Sequence, residues 1–361
     1  VSLALLISWL FLSIGEALVA PGTDSVSARL AEWARQHHLG GLVTKAEQIQ
    51  YRLHPPRTGG SPNGGIPKTT SGSGSGAGAQ VLPQLVPAPA ALRPLAAGAA
   101  LPGEGIWQSL DTVHGLPALR ATYLRPDSAH TSYLTGVAWM DQRLVTFTLH
   151  PGTSQPGGSG WHVPSLIAPQ ETSGLIAAFN SGFTLADSRG GYFAEQRTVA
   201  RLIAGRASLV VRKDGTATVG QWGRDVRMSA DVASVRQNLD LIVDHGRPVS
   251  YLNDNTGDRW GRTVGNAYYV WRSGIGITAS GQLIYAAGDA LSAESLARVL
   301  ADAGAVRAMQ LDINRDWTSF DYYHVQNGVV TARKLTSDEF RPARRYLSTS
   351  SRDFYTVYAR P

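Results

Sequence analysis

The sequence contains no cysteine, which excludes disulfides, thiolate catalysis and Cys-ligated zinc. That absence says little about compartment, because exported domains often do without disulfides. Charge is sparse: Asp, Glu, Lys and Arg make up 17% of the 361 residues, and no Lys or Arg precedes Arg29. No Gly-x-Ser-x-Gly elbow, Walker loop, His-Glu-x-x-His pair or dinucleotide fingerprint is present. The local signatures of serine hydrolases, nucleotide hydrolases, zinc proteases and nicotinamide enzymes are therefore missing. The 9 histidines are scattered without ligand spacing. The net charge of +6 comes from basic residues with no nucleic-acid motif among them. No nucleic-acid partner is expected, and anionic envelope polymer suits a mildly basic exported protein better.

The chain divides into four parts. Residues 1–20 are almost wholly apolar, with Glu16 the only charge. As a helix such a stretch reaches about 30 Å, the hydrocarbon thickness. It reads as an uncleaved signal anchor, with a cleavable signal peptide as the rival. The expected location is the cell membrane, single-pass with the domain outside the cytoplasm, or secreted if the segment is cleaved. Residues 21–54 read as a short helical juxtamembrane segment, capped at Thr23-Asp24 and broken at Gly40-Gly41. The pair His37-His38 reads as solvated surface. Residues 55–105 collapse to Pro, Gly, Ser and Ala, the composition of a flexible stalk.

The folded domain, 106–361, alternates short β-rich runs with turn signals. Leu175 to Asn180, Leu241 to Asp244 and Phe354 to Tyr358 read as strands, and Lys213-Asp214-Gly215 as a hairpin turn. The chain is organised around Tyr268 to Asp321. A strand through Thr278 turns at Ser280-Gly281 and returns over Leu283 to Ala287. A helix then starts at N-cap Ser292, buries Leu296, Val299, Leu300 and Ala303 on one face, and stops at Gly304. A third apolar run, Val306 to Leu311, ends at Asp312. These elements predict an α+β domain with mixed, mostly antiparallel sheets and a few helices.

A carboxylate that ends a buried strand and opens a polar loop is where a packed scaffold displays chemistry. Asp312 is the first candidate catalytic residue, and Asp316 the second. Asn314 and Trp317 share the loop and are candidates for substrate binding, an indole face being suited to a sugar ring. Asn180 and Arg272 stand beside glycines at strand ends, and Gly182 and Gly276 would let backbone approach a ligand. Arg272 lies within an apolar strand and needs an anionic partner, either Asp312 or a substrate phosphate. Asp289 and Glu195 are weaker acidic candidates. Asp312-x-Asn314-x-Asp316 also opens like a calcium loop, but Trp317 and Tyr323 stand where its glycine and its bidentate Glu belong. No metal or cofactor is expected, with calcium the one alternative.

Three motifs then fall in a meaningful order. Ala178-Phe179-Asn180-Ser181-Gly182-Phe183 precedes Arg272-Ser273-Gly274-Ile275-Gly276-Ile277 with Gly281 in the turn; Ser292-Ala293-Glu294 and Leu311-Asp312 follow. Over 175–320 the chain resembles the phosphodiester glycosidase family, and its anchor and stalk resemble the membrane-tethered actinobacterial members. Two departures stand out. Ser181 replaces a glycine, and Asp312 is followed by Ile313-Asn314-Arg315-Asp316-Trp317 rather than by a run of glycines and serines. The resemblance implies an exported, membrane-tethered hydrolase of glycosidic bonds, acting on envelope glycan or a sugar-1-phosphodiester. In that reading Asp312 is the carboxylate at the reacting centre, Arg272 the phosphate clamp and Asn180 a polar anchor. The alternative is a glycan-binding envelope protein that keeps the fold without the chemistry. Oligomeric state is not legible.

Overall fold

Three antiparallel sheets carry the chain from Gln108 to Ala359. The computed structural model describes residues 2–68, 88–256, 259–261 and 269–361. The largest sheet has eight strands, in the spatial order Gln108–Val113, Leu116–Leu124, Thr135–Met140, Leu283–Leu291, Val270–Thr278, Ala305–Gln310, Leu241–Asp244 and Arg247–Pro248. A five-stranded sheet runs Val329–Lys334, Phe320–Gln326, Leu175–Asn180, Phe354–Ala359, Val145–His150. The third also has five strands: Arg197–Ala200, Tyr192–Ala194, Val232–Gln237, Ala207–Arg212, Ala217–Gln221. With the helices described below this is the expected α+β class.

The central hairpin forms as its alternation predicts. Val270–Thr278 pairs with Leu283–Leu291, and Gly281 takes the positive φ of +82° that the turn requires. Tyr268, where the sequence places the strand's start, lies outside the described residues. The returning strand runs on to Leu291, past a bulge opposite Val270 and Arg272.

The helix Ala293–Asp302 begins where Ser292 accepts a hydrogen bond from the Ser295 N–H at 2.9 Å. Its buried face, Leu296, Val299 and Leu300, covers one side of the large sheet. The approach is close. A Cβ on Gly274 would stand 3.0 Å from the Leu300 side chain, and one on Gly276 2.7 Å from the Ala305 Cβ. Gly276, expected to admit a ligand, is thus small to let neighbouring elements meet.

The opposite side of that sheet packs on the five-stranded sheet that contains Leu175–Asn180 and Phe354–Ala359. Tyr285 lies 5.4 Å from Phe179 and 5.1 Å from Phe320 between ring centroids, and Phe179 stacks on Tyr355 at 5.3 Å. Rings at these spacings stabilise beyond their buried area. This apolar layer holds two sheets in fixed register, and the candidate site sits where the chain crosses between them.

The N-terminal part packs on the domain. Helices Ser2–Val19, Val26–Gln36 and Gly40–Leu53 form. Ser25, not Thr23 or Asp24, caps the second, accepting from the Ala28 N–H at 3.1 Å. Asp24 is drawn off instead to Arg341 at 2.7 Å and to Ser351. Ser2–Val19 leans on the second helix, Trp33 Nε1 donating to Ser13 Oγ at 2.8 Å. His37 stacks on Trp33 at 4.6 Å rather than standing in solvent. Among the described residues no helix is long and apolar enough to cross a membrane.

Of the segment read as a stalk, 69–87 lies outside the described residues. The flanks 55–68 and 88–105 differ from a free spacer. Ile66 and Leu92 are buried, and Glu104 forms a buried ion pair with Arg125 at 2.9 Å. Composition undercounts such segments because a few apolar residues and one buried pair suffice to dock an otherwise irregular strand of chain.

Candidate active site

The site is built by continuing one sheet past its last strand. After Ala305–Gln310, Leu311 N–H donates to Ser273 O at 2.8 Å, and Ser273 N–H donates to Asp312 O at 2.9 Å. The backbone of Asp312 is therefore pinned beside the central hairpin before the chain leaves for Phe320 in the second sheet. The loop between coils on its own side chains. Asp312 Oδ1 accepts from Asn314 N–H at 2.9 Å, and Asn314 Oδ1 accepts from Asp316 N–H at 2.8 Å. The Asp-x-Asn-x-Asp spacing thus serves successive Asx turns. Among the described residues no group of three acidic or histidine side chains is placed to hold a metal ion.

The loop lines a cavity of about 630 Å³, together with Trp271, Asp289, Gln155 and Arg352 from the domain and Glu32 and Arg35 from the N-terminal segment. That volume falls in the range of small-molecule sites. Of the sequence candidates, Asp312, Asn314, Asp316 and Trp317 line the cavity. Burial pushes the Asp312 carboxyl up to about 6, against the opposing pull of Arg352, the Asn314 and Ile313 N–H groups and Arg35. Burial likewise lifts Asp289 to about 6. Its neighbour Ala290 is fully buried at φ +56°, a strained backbone for a residue with a Cβ.

The other candidates do not line the cavity. Asn180 is satisfied on both ends: its amide donates to Ser181 O and Ser273 Oγ, and its oxygen accepts from Tyr285 O–H and Ser319 N–H. It ties the two sheets together. Gly182 lies against Asn238, where a Cβ would come within 2.9 Å of that side chain. Glu195 pairs with His162 and Arg197 at the surface. Trp317 is at the site but 4% exposed, with the Arg352 guanidinium 4.6 Å from its ring, so that face supports a cation instead of offering itself to a sugar.

Arg272 is 3% exposed and donates to Leu291 O at 2.9 Å and to Gln310 Oε1 at 2.7 Å. The pairing that sets Gly274 opposite Gln310 puts Arg272 diagonal to that glutamine. The cation that acts most strongly on Asp312 is Arg352 instead. Replacing Arg272 by Met removes a charge-assisted hydrogen bond and leaves Gln310 short of a donor. It is expected to cost about 2–4 kcal/mol of stability in urea unfolding. An unchanged midpoint would contradict the scaffold role.

Arg352 is the residue that local reading misses. It stands in Ser351-Arg352-Asp353, which carries no motif. Its surroundings are nonetheless rigid. Asp353 forms a buried ion pair with Arg236 at 2.7 Å, and the Arg352 backbone packs so closely on Gly152 that a Cβ there would come within 2.3 Å. The guanidinium is buried beside Asp312 and Trp317, and its Nη2 donates to Glu32 Oε2 at 3.0 Å.

Residues 173–312 match the family model described as phosphodiester glycosidase, a match that ends on Asp312 and leaves the coiled loop beyond it. Among solved structures, the chain is similar at 17% identity to the zebrafish N-acetylglucosamine-1-phosphodiester alpha-N-acetylglucosaminidase catalytic domain auto-inhibited by its pro-peptide. That similarity covers 70% of this chain and 88% of that one with a TM-score of 0.44. A hypothetical protein from Synechocystis is similar at 14% identity, over 69% of this chain and 64% of that one, with a TM-score of 0.38. No curated protein matches the chain. The match to the phosphodiester glycosidase family thus covers residues 173–312, the part of the chain that carries Asn180, Arg272 and Asp312.

Proposed function

We propose that this protein hydrolyses a glycosidic bond in a sugar-1-phosphodiester or a related envelope glycan, as an exported domain held at the membrane by its N-terminal segment. The observation that carries the reading is Asp312: the family match runs up to it, it lines the cavity of about 630 Å³, and burial holds its carboxyl up to about 6. A phosphate monoester leaves as an anion with little help from an acid. The site then needs a carboxylate to activate water or to stand against the oxocarbenium-like centre. Asp312 takes that role. An ordinary glycoside needs a second carboxylate, and Asp289 or Asp316 supplies it from the same cavity. Asn314 and Trp271 line the space the sugar would fill.

The test is turnover by the full chain of sugar-1-phosphodiesters and aryl glycosides, side by side. Release of free sugar from at least one phosphodiester is expected. No turnover of either class removes the proposal. The non-glycine loop after Asp312 favours one second reading, a glycan-binding protein without turnover. Binding to wall polymer that Asp312→Asn leaves unchanged would support it.

A further inference from the structure

We infer that Arg352 is the anion subsite of this cavity, and that it takes a phosphate group in the position where the Glu32 carboxylate lies in this structure. The inference rests on the hydrolase reading of the cavity and adds the group that recognises the substrate's charge. Three observations lead to it. Arg352 is 6% exposed, and its Nε has no hydrogen-bond partner among the described residues. A buried guanidinium with a spare donor beside the one that holds a carboxylate suits a two-pronged oxyanion such as phosphate.

The anion it does hold comes from far away in sequence. Glu32 sits on the helix Val26–Gln36, 320 residues from Arg352, and both side chains line the cavity. The same segment makes a second contact of the same kind: Asp24 pairs with Arg341, whose Nε and Nη1 are buried without partners among the described residues. The segment thus meets the domain acid to base.

The third observation is the setting of Arg352. It is held over Trp317 at 4.6 Å, and the neighbouring ion pair of Asp353 with Arg236 anchors its backbone. It acts on Asp312 through charge without a hydrogen bond between them. A phosphate on Arg352 would therefore enter the same cavity that Asp312 lines. Glu32 and a substrate phosphate cannot both occupy the guanidinium, so the N-terminal segment and substrate compete.

The experiment titrates the full-length protein with inorganic phosphate at constant ionic strength, by calorimetry and by thermal shift. Glu32→Gln keeps the side-chain volume and removes the competing charge. Its phosphate affinity is expected to exceed the parent's by tenfold or more, and adding Arg352→Gln should abolish the gain. Glu32→Asp, with the carboxylate drawn back by one methylene, should fall between and covers the case that Glu32→Gln folds poorly. No gain in either variant, or a gain that survives loss of Arg352, would overturn the subsite. Loss of turnover in Glu32→Gln with unchanged phosphate affinity would place Glu32 among the reacting carboxylates and also overturn it. Phosphate binding needs no catalysis. A gain through Arg352 without hydrolysis of any sugar-1-phosphodiester would remove the hydrolase reading and leave the anion subsite standing.

Discussion

Asp312→Asn is expected to lower turnover by about 10²–10⁴-fold, the usual worth of a positioned acid or base, while making the protein more stable at pH 7. The first half follows from position. Asparagine keeps an oxygen for the Asn314 N–H but can neither take a proton nor oppose positive charge at the anomeric carbon. The second half follows from ionisation. The folded state holds the Asp312 proton up to about 6, against an ordinary value of 3.8, because burial disfavours the charge. A group with a raised folded pKa contributes stability below its unfolded value, and that contribution is lost as pH rises through the folded one. The window here is about pH 4 to 6, so by pH 7 the buried charge is a burden on the order of 1–3 kcal/mol. Its attraction to Arg352 offsets part of that. Thermal unfolding of parent and variant at pH 4.5 and pH 7 measures it. The advantage of Asn should grow between the two. A variant less stable than the parent at pH 7 would mean that Asp312 is held by a stabilising pair, and its place as a strained functional acid would go.

The larger pH effect is expected from a pair outside the cavity. Glu339 is 2% exposed and accepts from Phe320 N–H at 3.1 Å and Thr336 N–H at 3.2 Å. Nearby Asp321 is fully buried, with neither carboxylate oxygen partnered among the described residues. Burial raises Glu339 to about 8, and burial with the Glu339 charge raises Asp321 well above its ordinary value. Arg345 and Lys334 pull the other way without cancelling this. Both groups hold protons in the fold that they release when unfolded, so stability falls as pH rises from about 4.5 through 8. A loss of a few kcal/mol across that range is expected. Urea unfolding at pH 5, 7 and 9 gives the slope, and Glu339→Gln should flatten it. A slope that is flat in the parent would show that Arg345 or Lys334 neutralises the pair.

The sequence by itself determined the order of the elements around the site. Ser292 as cap, Leu296, Val299 and Leu300 as the buried helix face, Gly281 in the turn and Asp312 past the end of a buried strand are all local signals. Periodicity, caps and positive-φ glycines act within a few residues and survive into the fold. The family motifs were legible for the same reason. Only the tertiary structure decided which polar residues face the cavity. Arg272 and Asn180 have the composition of ligand-binding residues, yet sheet register and sheet-on-sheet packing turn them onto Gln310, Leu291 O, Ser273 and Tyr285. Arg352 and Glu32 have no local signature at all. They meet because the last strand enters its sheet between Leu175–Asn180 and Val145–His150, and an N-terminal helix docks over the loop. A side chain's partner across such a gap depends on how layers stack, and no stretch of sequence short enough to read as a motif contains that information.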